Sequence, residues 1–164
     1  TKKYLKKIIL SKKIKKKKVV LNQSTNFWRP DIAFKYFDKL KIIRVTRDPR
    51  SVYLSFKTEP AWAYPKNNIN NFVKWYSEII EKKNFYKLRS NKIMDITFEE
   101  FVLNYNESKK KINKFLNLQN EKKNKFNINF SKNNVFKAKN LLTKNELKFL
   151  EKKLKKYLIW EKYL

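Results

Sequence analysis

With 164 residues, 41% of them hydrophobic, the chain is long enough to bury one sizeable core, and a single domain over residues 1–164 is expected. A net charge of +28 points toward polyanionic partners, while the absence of cysteine and histidine excludes disulfides, thiolate metal sites and either residue as nucleophile, base or metal ligand. All but five of the 42 basic residues are lysine, and Lys, Asn, Ile, Phe and Tyr are the residues of A/T-rich codons, so a skewed genome accounts for the charge without a polyanionic partner.

Tyr4, Leu5, Ile8 and Ile9 recur at helical spacing, and the lysine-rich Ser11–Lys18 reads as a solvated helix end or a basic tail. Val19–Leu21 forms a short buried strand leading into the turn-rich Asn22–Asn26. Pro30 and Asp31 open a helix through Phe37, and Lys41–Thr46, with Ile42, Ile43 and Val45, is a second strand. Its companion helix starts at Asp48-Pro49, since the aspartate accepts a backbone N–H as N-cap and proline suits the first helical position.

A loop holding Pro60 and Pro65 precedes an amphipathic helix over Asn70–Leu88, with Phe72, Trp75, Tyr76, Ile79 and Ile80 on its apolar stripe. Lys92–Ile96 reads as a third strand, and Thr97 with Glu100 frames a capping box for the next helix. Ile112, Phe115 and Leu116 belong to a further helix, and the polar Asn117–Asn134 reads as a surface loop. Thr143 with Glu146 then caps a final helix carrying Leu147, Leu150, Leu154, Tyr157 and Leu158. The alternation predicts an α/β fold in which Val19–Leu21, Lys41–Thr46 and Lys92–Ile96 are neighbouring parallel strands. Such sheets bind ligands beyond the carboxyl ends of their strands, where Arg47 falls. No run is long enough to span a membrane and no signal-peptide pattern opens the chain, so a cytoplasmic location is expected.

In so lysine-rich a chain, clustered arginine is the more informative cation. Arg44, Arg47 and Arg50 lie close together, and the guanidinium fork suits phosphate. Arg47 stands at a strand exit and Ser55 roughly two turns into the following helix, so both reach one anion held at the helix N-terminus. The plainer alternative is a generic Asp-Pro helix start with a surface arginine and a filler serine.

The wider pattern resembles a known family. The strand Lys41–Thr46, then Arg47-Asp48-Pro49-Arg50, then Ser55 is similar to the 3′-phosphate motif of sulfotransferases that use 3′-phosphoadenosine 5′-phosphosulfate (PAPS). Phe98-Glu99-Glu100-Phe101-Val102 after the third strand, and the helix Ile112–Leu118 with its Phe115-Leu116 pair, resemble further parts of that family. The resemblance implies a P-loop-NTPase-like three-layer fold with a parallel central sheet and Arg47 and Ser55 holding the 3′-phosphate. It further implies transfer of a sulfuryl group from PAPS to a hydroxyl or amine acceptor, on a glycan or other biomolecule, without a metal.

The family opens with a strand and a phosphate-cradling loop, whereas this chain has no glycine with which to build one. The N-terminal part of the enzyme is therefore expected to be missing, and residues 1–164 to be inactive alone. The catalytic base is open. Asn22 and Gln23 occupy the place where the family often has its base but do not titrate, which leaves Glu59 or a base in the missing part. Lys132 and Lys137 are candidates to meet the nucleotide, against the alternative of ordinary solvated lysines, and Trp62 and Tyr64 either stack on a ligand or anchor their loop. Two rivals stand beside this reading: a lysine-rich nucleic-acid binder without activity, and a phosphoryl-transfer enzyme, which needs a glycine-lysine phosphate loop and a magnesium-binding carboxylate.

Overall fold

The structure, a computed structural model, describes residues 30–37, 39–58, 68–85, 91–118 and 126–163. The expected helix around Tyr4–Ile9, the strand Val19–Leu21, and Asn22, Gln23, Glu59, Trp62 and Tyr64 lie outside the described residues. The elements in chain order are α1 (Pro30–Tyr36), β1 (Ile42–Thr46), α2 (Pro49–Thr58), α3 (Ile69–Phe85), β2 (Ile93–Thr97), α4 (Phe98–Leu103), α5 (Tyr105–Leu116), α6 (Ile128–Val135), α7 (Lys137–Leu141) and α8 (Lys144–Lys153), followed by 3₁₀ turns at Lys155–Tyr157 and Trp160–Lys162.

Among the described residues the architecture is mainly helical, with β1 and β2 forming a two-stranded parallel sheet. Ile42 pairs with Ile93 and Thr46 with Thr97, so both strands end at one level and aim their exits the same way. The β1–β2 connection runs through α2 and α3, as a parallel crossover requires. Two of the three expected parallel strands are thus neighbours; the third lies outside the described residues.

The core lies between the helices. Tyr53 and Leu54 of α2, Phe72 and Tyr76 of α3, Ala138 of α7, Leu150 of α8 and the trailing Leu154 and Trp160 form one buried cluster. Phe72 is completely enclosed and lies 5.1 Å from the Tyr53 ring and 5.7 Å from that of Tyr76. The apolar spacing read from the sequence is therefore the core face of α3, which covers α2 and α8.

Helix ends follow local chemistry. Asn68 Oδ1 accepts the N–H groups of Asn70 and Asn71 and starts α3. Thr143 caps α8 through a complete capping box, its hydroxyl accepting from Glu146 N–H and Glu146 Oε2 accepting from Thr143 N–H. At Thr97 the hydroxyl accepts from Glu100 N–H as expected, but Glu100 directs Oε1 to Lys111 on α5, 2.8 Å away. With no glycine available, α5 ends on Asn117 in the left-handed region, φ 53°.

Three expectations need correction. Residues 117–134 are not all loop: Asn127 Oδ1 accepts from Phe130 N–H and starts α6, which buries Ser131 and Val135 and packs on α4. Tertiary packing there outweighs the weak helix propensity of its asparagines. The final helix stops at Lys153, so Tyr157 sits in a 3₁₀ turn and Leu158 beyond it. The third strand reaches Thr97, which both ends β2 and caps α4.

Candidate functional site

Arg47 leaves the carboxyl end of β1, and Asp48 turns the chain into α2 by accepting the Arg50 N–H on Oδ1 at 3.0 Å. The backbone at this exit is held from both sides. Asp48 N–H donates to Glu99 Oε1 at 3.0 Å, and the Arg47 carbonyl accepts the Tyr76 hydroxyl at 2.9 Å. The acidic residue after β2 thus sets the geometry of the exit from β1.

The three clustered arginines separate into distinct roles. Arg44 forks onto Asp95, the residue opposite it on β2, and Arg50 is bonded to Asp48, Glu151 and Glu161. Arg47 makes no such ion pair among the described residues. Its Nη2 donates to the backbone carbonyl of Asn134, its guanidinium lies 4.8 Å from the centre of the Phe98 ring, and its Nε is buried without a hydrogen-bond partner. Burial works to lower the Arg47 pKa, with Glu99 and Asp48 opposing it through their negative charge. The guanidinium stays charged and keeps donor capacity in reserve.

Arg47 and Ser55 line the same cavity, of about 400 Å³, as the motif geometry leads one to expect. Leu54, Thr58 and Leu141 add to its wall, with Asn134 and Lys137 on the side formed by α6 and α7. The volume falls within the range of small-molecule sites. Ser55 is exposed, its Oγ donating to the Ser51 carbonyl at 3.1 Å, and Thr58 Oγ1 bonds the Leu54 carbonyl in the same way at 3.0 Å. Both hydroxyls can rotate from these helical carbonyls toward an acceptor in the cavity.

Lys137 shares the cavity with Arg47 and has no carboxylate partner among the described residues, whereas Lys57 pairs with Glu146 and Lys111 with Glu100. Lys132, exposed on α6, is not part of that wall. Two cations without direct counter-ions among the described residues and two hydroxyls therefore face one space, which is chemistry for an anion with several acceptor oxygens. Asn134 and Thr58 had no signal in the sequence. Lys137 is a candidate from the sequence together with Lys132, and only the structure separates the two.

Two buried carboxylates stand behind the site. Burial raises the Glu99 pKa above the usual carboxylate range, against the Asp48 N–H and Arg47, and Glu99 Oε2 is buried without a hydrogen-bond partner. Burial likewise pushes the Tyr76 hydroxyl upward, with the charges of Asp48 and Glu99 adding to it. Among the described residues no group of carboxylates is placed to hold a metal ion, and no helix is long and apolar enough to cross a membrane.

Comparison of the chain with protein-family models, curated proteins and solved structures yields no match.

Proposed function

We propose that this chain is part of a PAPS-dependent sulfotransferase, and that the cavity at the exit of β1 holds the 3′-phosphate of the donor. The observation that carries the reading is the meeting of Arg47 and Ser55 in one cavity, with Lys137 on its other side. In this reading Arg47 and Lys137 supply charge, and the Ser55 hydroxyl, released from the Ser51 carbonyl, donates to a phosphate oxygen. A terminal phosphate monoester matches such a site, because several acceptor oxygens are presented at once.

The proposal extends to the fold. β1 and β2 are adjacent strands of the central sheet of a three-layer, P-loop-NTPase-like domain. The 5′-phosphosulfate needs a close backbone cradle, which a chain without glycine does not readily supply. Sulfuryl transfer to a hydroxyl or amine is accordingly proposed for a longer enzyme in which another segment provides the cradle and the base. In that setting the residues described here bind and orient the donor.

The test is calorimetric titration of residues 1–164 with adenosine 3′,5′-bisphosphate and with adenosine 5′-monophosphate. The reading expects the bisphosphate to bind more tightly, with the preference abolished in Arg47→Ala. Equal binding of both nucleotides would remove its support. Tighter, strongly salt-dependent binding of single-stranded RNA would favour the nucleic-acid alternative.

A further inference from the structure

The two sides of the cavity come from distant parts of the chain, and one buried side chain outside the cavity touches both. Asp48, next to Arg47, accepts the N–H groups of Ile159 and Trp160 on Oδ2 at 2.9 and 3.2 Å. Arg50 lies 4.1 Å above the Trp160 ring and is bonded to Glu161 at 2.9 Å. On its other side Trp160 meets Phe136 edge-on, with ring centres 5.6 Å apart. Phe136 immediately precedes Lys137, and the two residues before it bond to α2 and its approach: the Val135 carbonyl accepts Ser51 Oγ, and the Asn134 carbonyl accepts Arg47.

We propose that Trp160 is a positioning residue that fixes the spacing between the Arg47 side and the Lys137 side of the cavity, and so governs its affinity for a phosphate monoester. The ligand half of this statement rests on the functional reading above; the mechanical half does not. An ordinary core aromatic would fill volume. Trp160 instead bridges the capped start of α2 and the α6–α7 junction, and its backbone is fastened to the aspartate that sets the strand exit. Its indole N–H, buried without a hydrogen-bond partner, contributes nothing to this. The working part is the ring, so Trp160→Phe keeps the function and also removes an unsatisfied donor.

The test uses the 164-residue chain, with adenosine 3′,5′-bisphosphate as probe. Trp160→Leu, assayed well below its unfolding temperature, is expected to weaken the probe by about tenfold or more, because small displacements of a polar constellation cost that much. Trp160→Phe is expected to bind within about threefold of the parent. Equal weakening by Leu and Phe, or none by Leu, overturns the proposal.

Hydrogen exchange of the parent needs no variant and covers a Leu form that does not fold. The amides of Arg50, Val52, Ile159 and Trp160, all bonded to Asp48, are expected to open as one unit with Lys139 and Leu142 of the α7 side. Free exchange at Ile159 and Trp160 beside protected Arg50 and Val52 overturns the proposal. If the parent ignores the nucleotide, the functional reading fails, and the exchange pattern alone decides whether Trp160 couples the two sides.

Discussion

Arg44 and Asp95 face each other across the parallel β1–β2 pair, joined by two hydrogen bonds of 2.8 and 2.7 Å. The guanidinium is 1% exposed and the carboxylate 33%, so the pair is shielded on the arginine side and wet on the other. Removing the carboxylate from a buried arginine costs more than the pair contributes in net terms. Asp95→Ala is therefore expected to lower unfolding stability by about 3 kcal/mol in urea titration. The double variant Arg44→Met with Asp95→Leu should lose clearly less, since no buried charge remains. A double variant that loses the sum of both single losses would show that the two residues act independently.

Arg47→Ala should weaken adenosine 3′,5′-bisphosphate by roughly tenfold to a hundredfold, the value of a charge-assisted contact to phosphate. Adenosine 5′-monophosphate should change by no more than about twofold, since it lacks the 3′-phosphate that the proposed reading gives to the guanidinium. Lys137→Ala should act in the same direction but more weakly, because Lys137 is exposed and presents a point charge rather than a fork. Uniform losses for both nucleotides would indicate a disturbed fold.

Ser55→Ala separates binding from stability. The hydroxyl is exposed and bonded to its own helix, so alanine should leave the urea midpoint unchanged or slightly raised. Affinity for the bisphosphate should nonetheless fall by about fivefold, the equivalent of one hydrogen bond of about 1 kcal/mol. A variant with unchanged affinity would remove Ser55 from the site.

Acid sensitivity should be traceable in part to Glu146. Burial pulls its pKa upward, but Lys57 and the N–H and hydroxyl of Thr143 outweigh it and hold the carboxyl below its ordinary value of 4.5. A carboxyl depressed in the folded state contributes stability above its unfolded pKa, and that contribution is lost as pH falls through the folded value. Glu146→Gln should therefore flatten the stability profile below about pH 4.5. Glu99 works the other way: raised by burial, it binds its proton more readily when folded and offsets part of the acid loss. An acid limb as steep in the Glu146→Gln variant as in the parent would contradict the assignment.

Much of this was legible because it is local. The apolar runs of β1 and β2 were readable to within a residue, as were the Asp-Pro start of α2 and the Thr143–Glu146 box, since each depends on neighbours within four positions. Arg47 and Ser55 meet because a helix of fixed pitch joins them, and pitch is a property of sequence spacing. What could not be read depends on packing between distant segments. Helix α6 has poor propensity and exists because Ser131 and Val135 find cover. Lys137 is told apart from Lys132 only once α7 is laid on α2. Position singled out Arg47 at the strand exit, but the ion pairing of Arg44 and Arg50 was not readable, because the carboxylates that occupy those two stand 51 or more residues away, apart from Asp48.

The bond from Ile159 to Asp48 spans 111 residues, and it carries a consequence for synthesis. On the ribosome, β1 and α2 emerge long before the segment that fastens them exists. Until residue 160 has been made, Asp48 Oδ2 lacks two of its three donors and Arg50 has no ring to lie on. A long loop must then close late, which is slow compared with forming helices. The nascent chain consequently carries a half-made cavity wall with Arg50 short of its partners, at the moment when it lies closest to the most abundant polyanion in the cell.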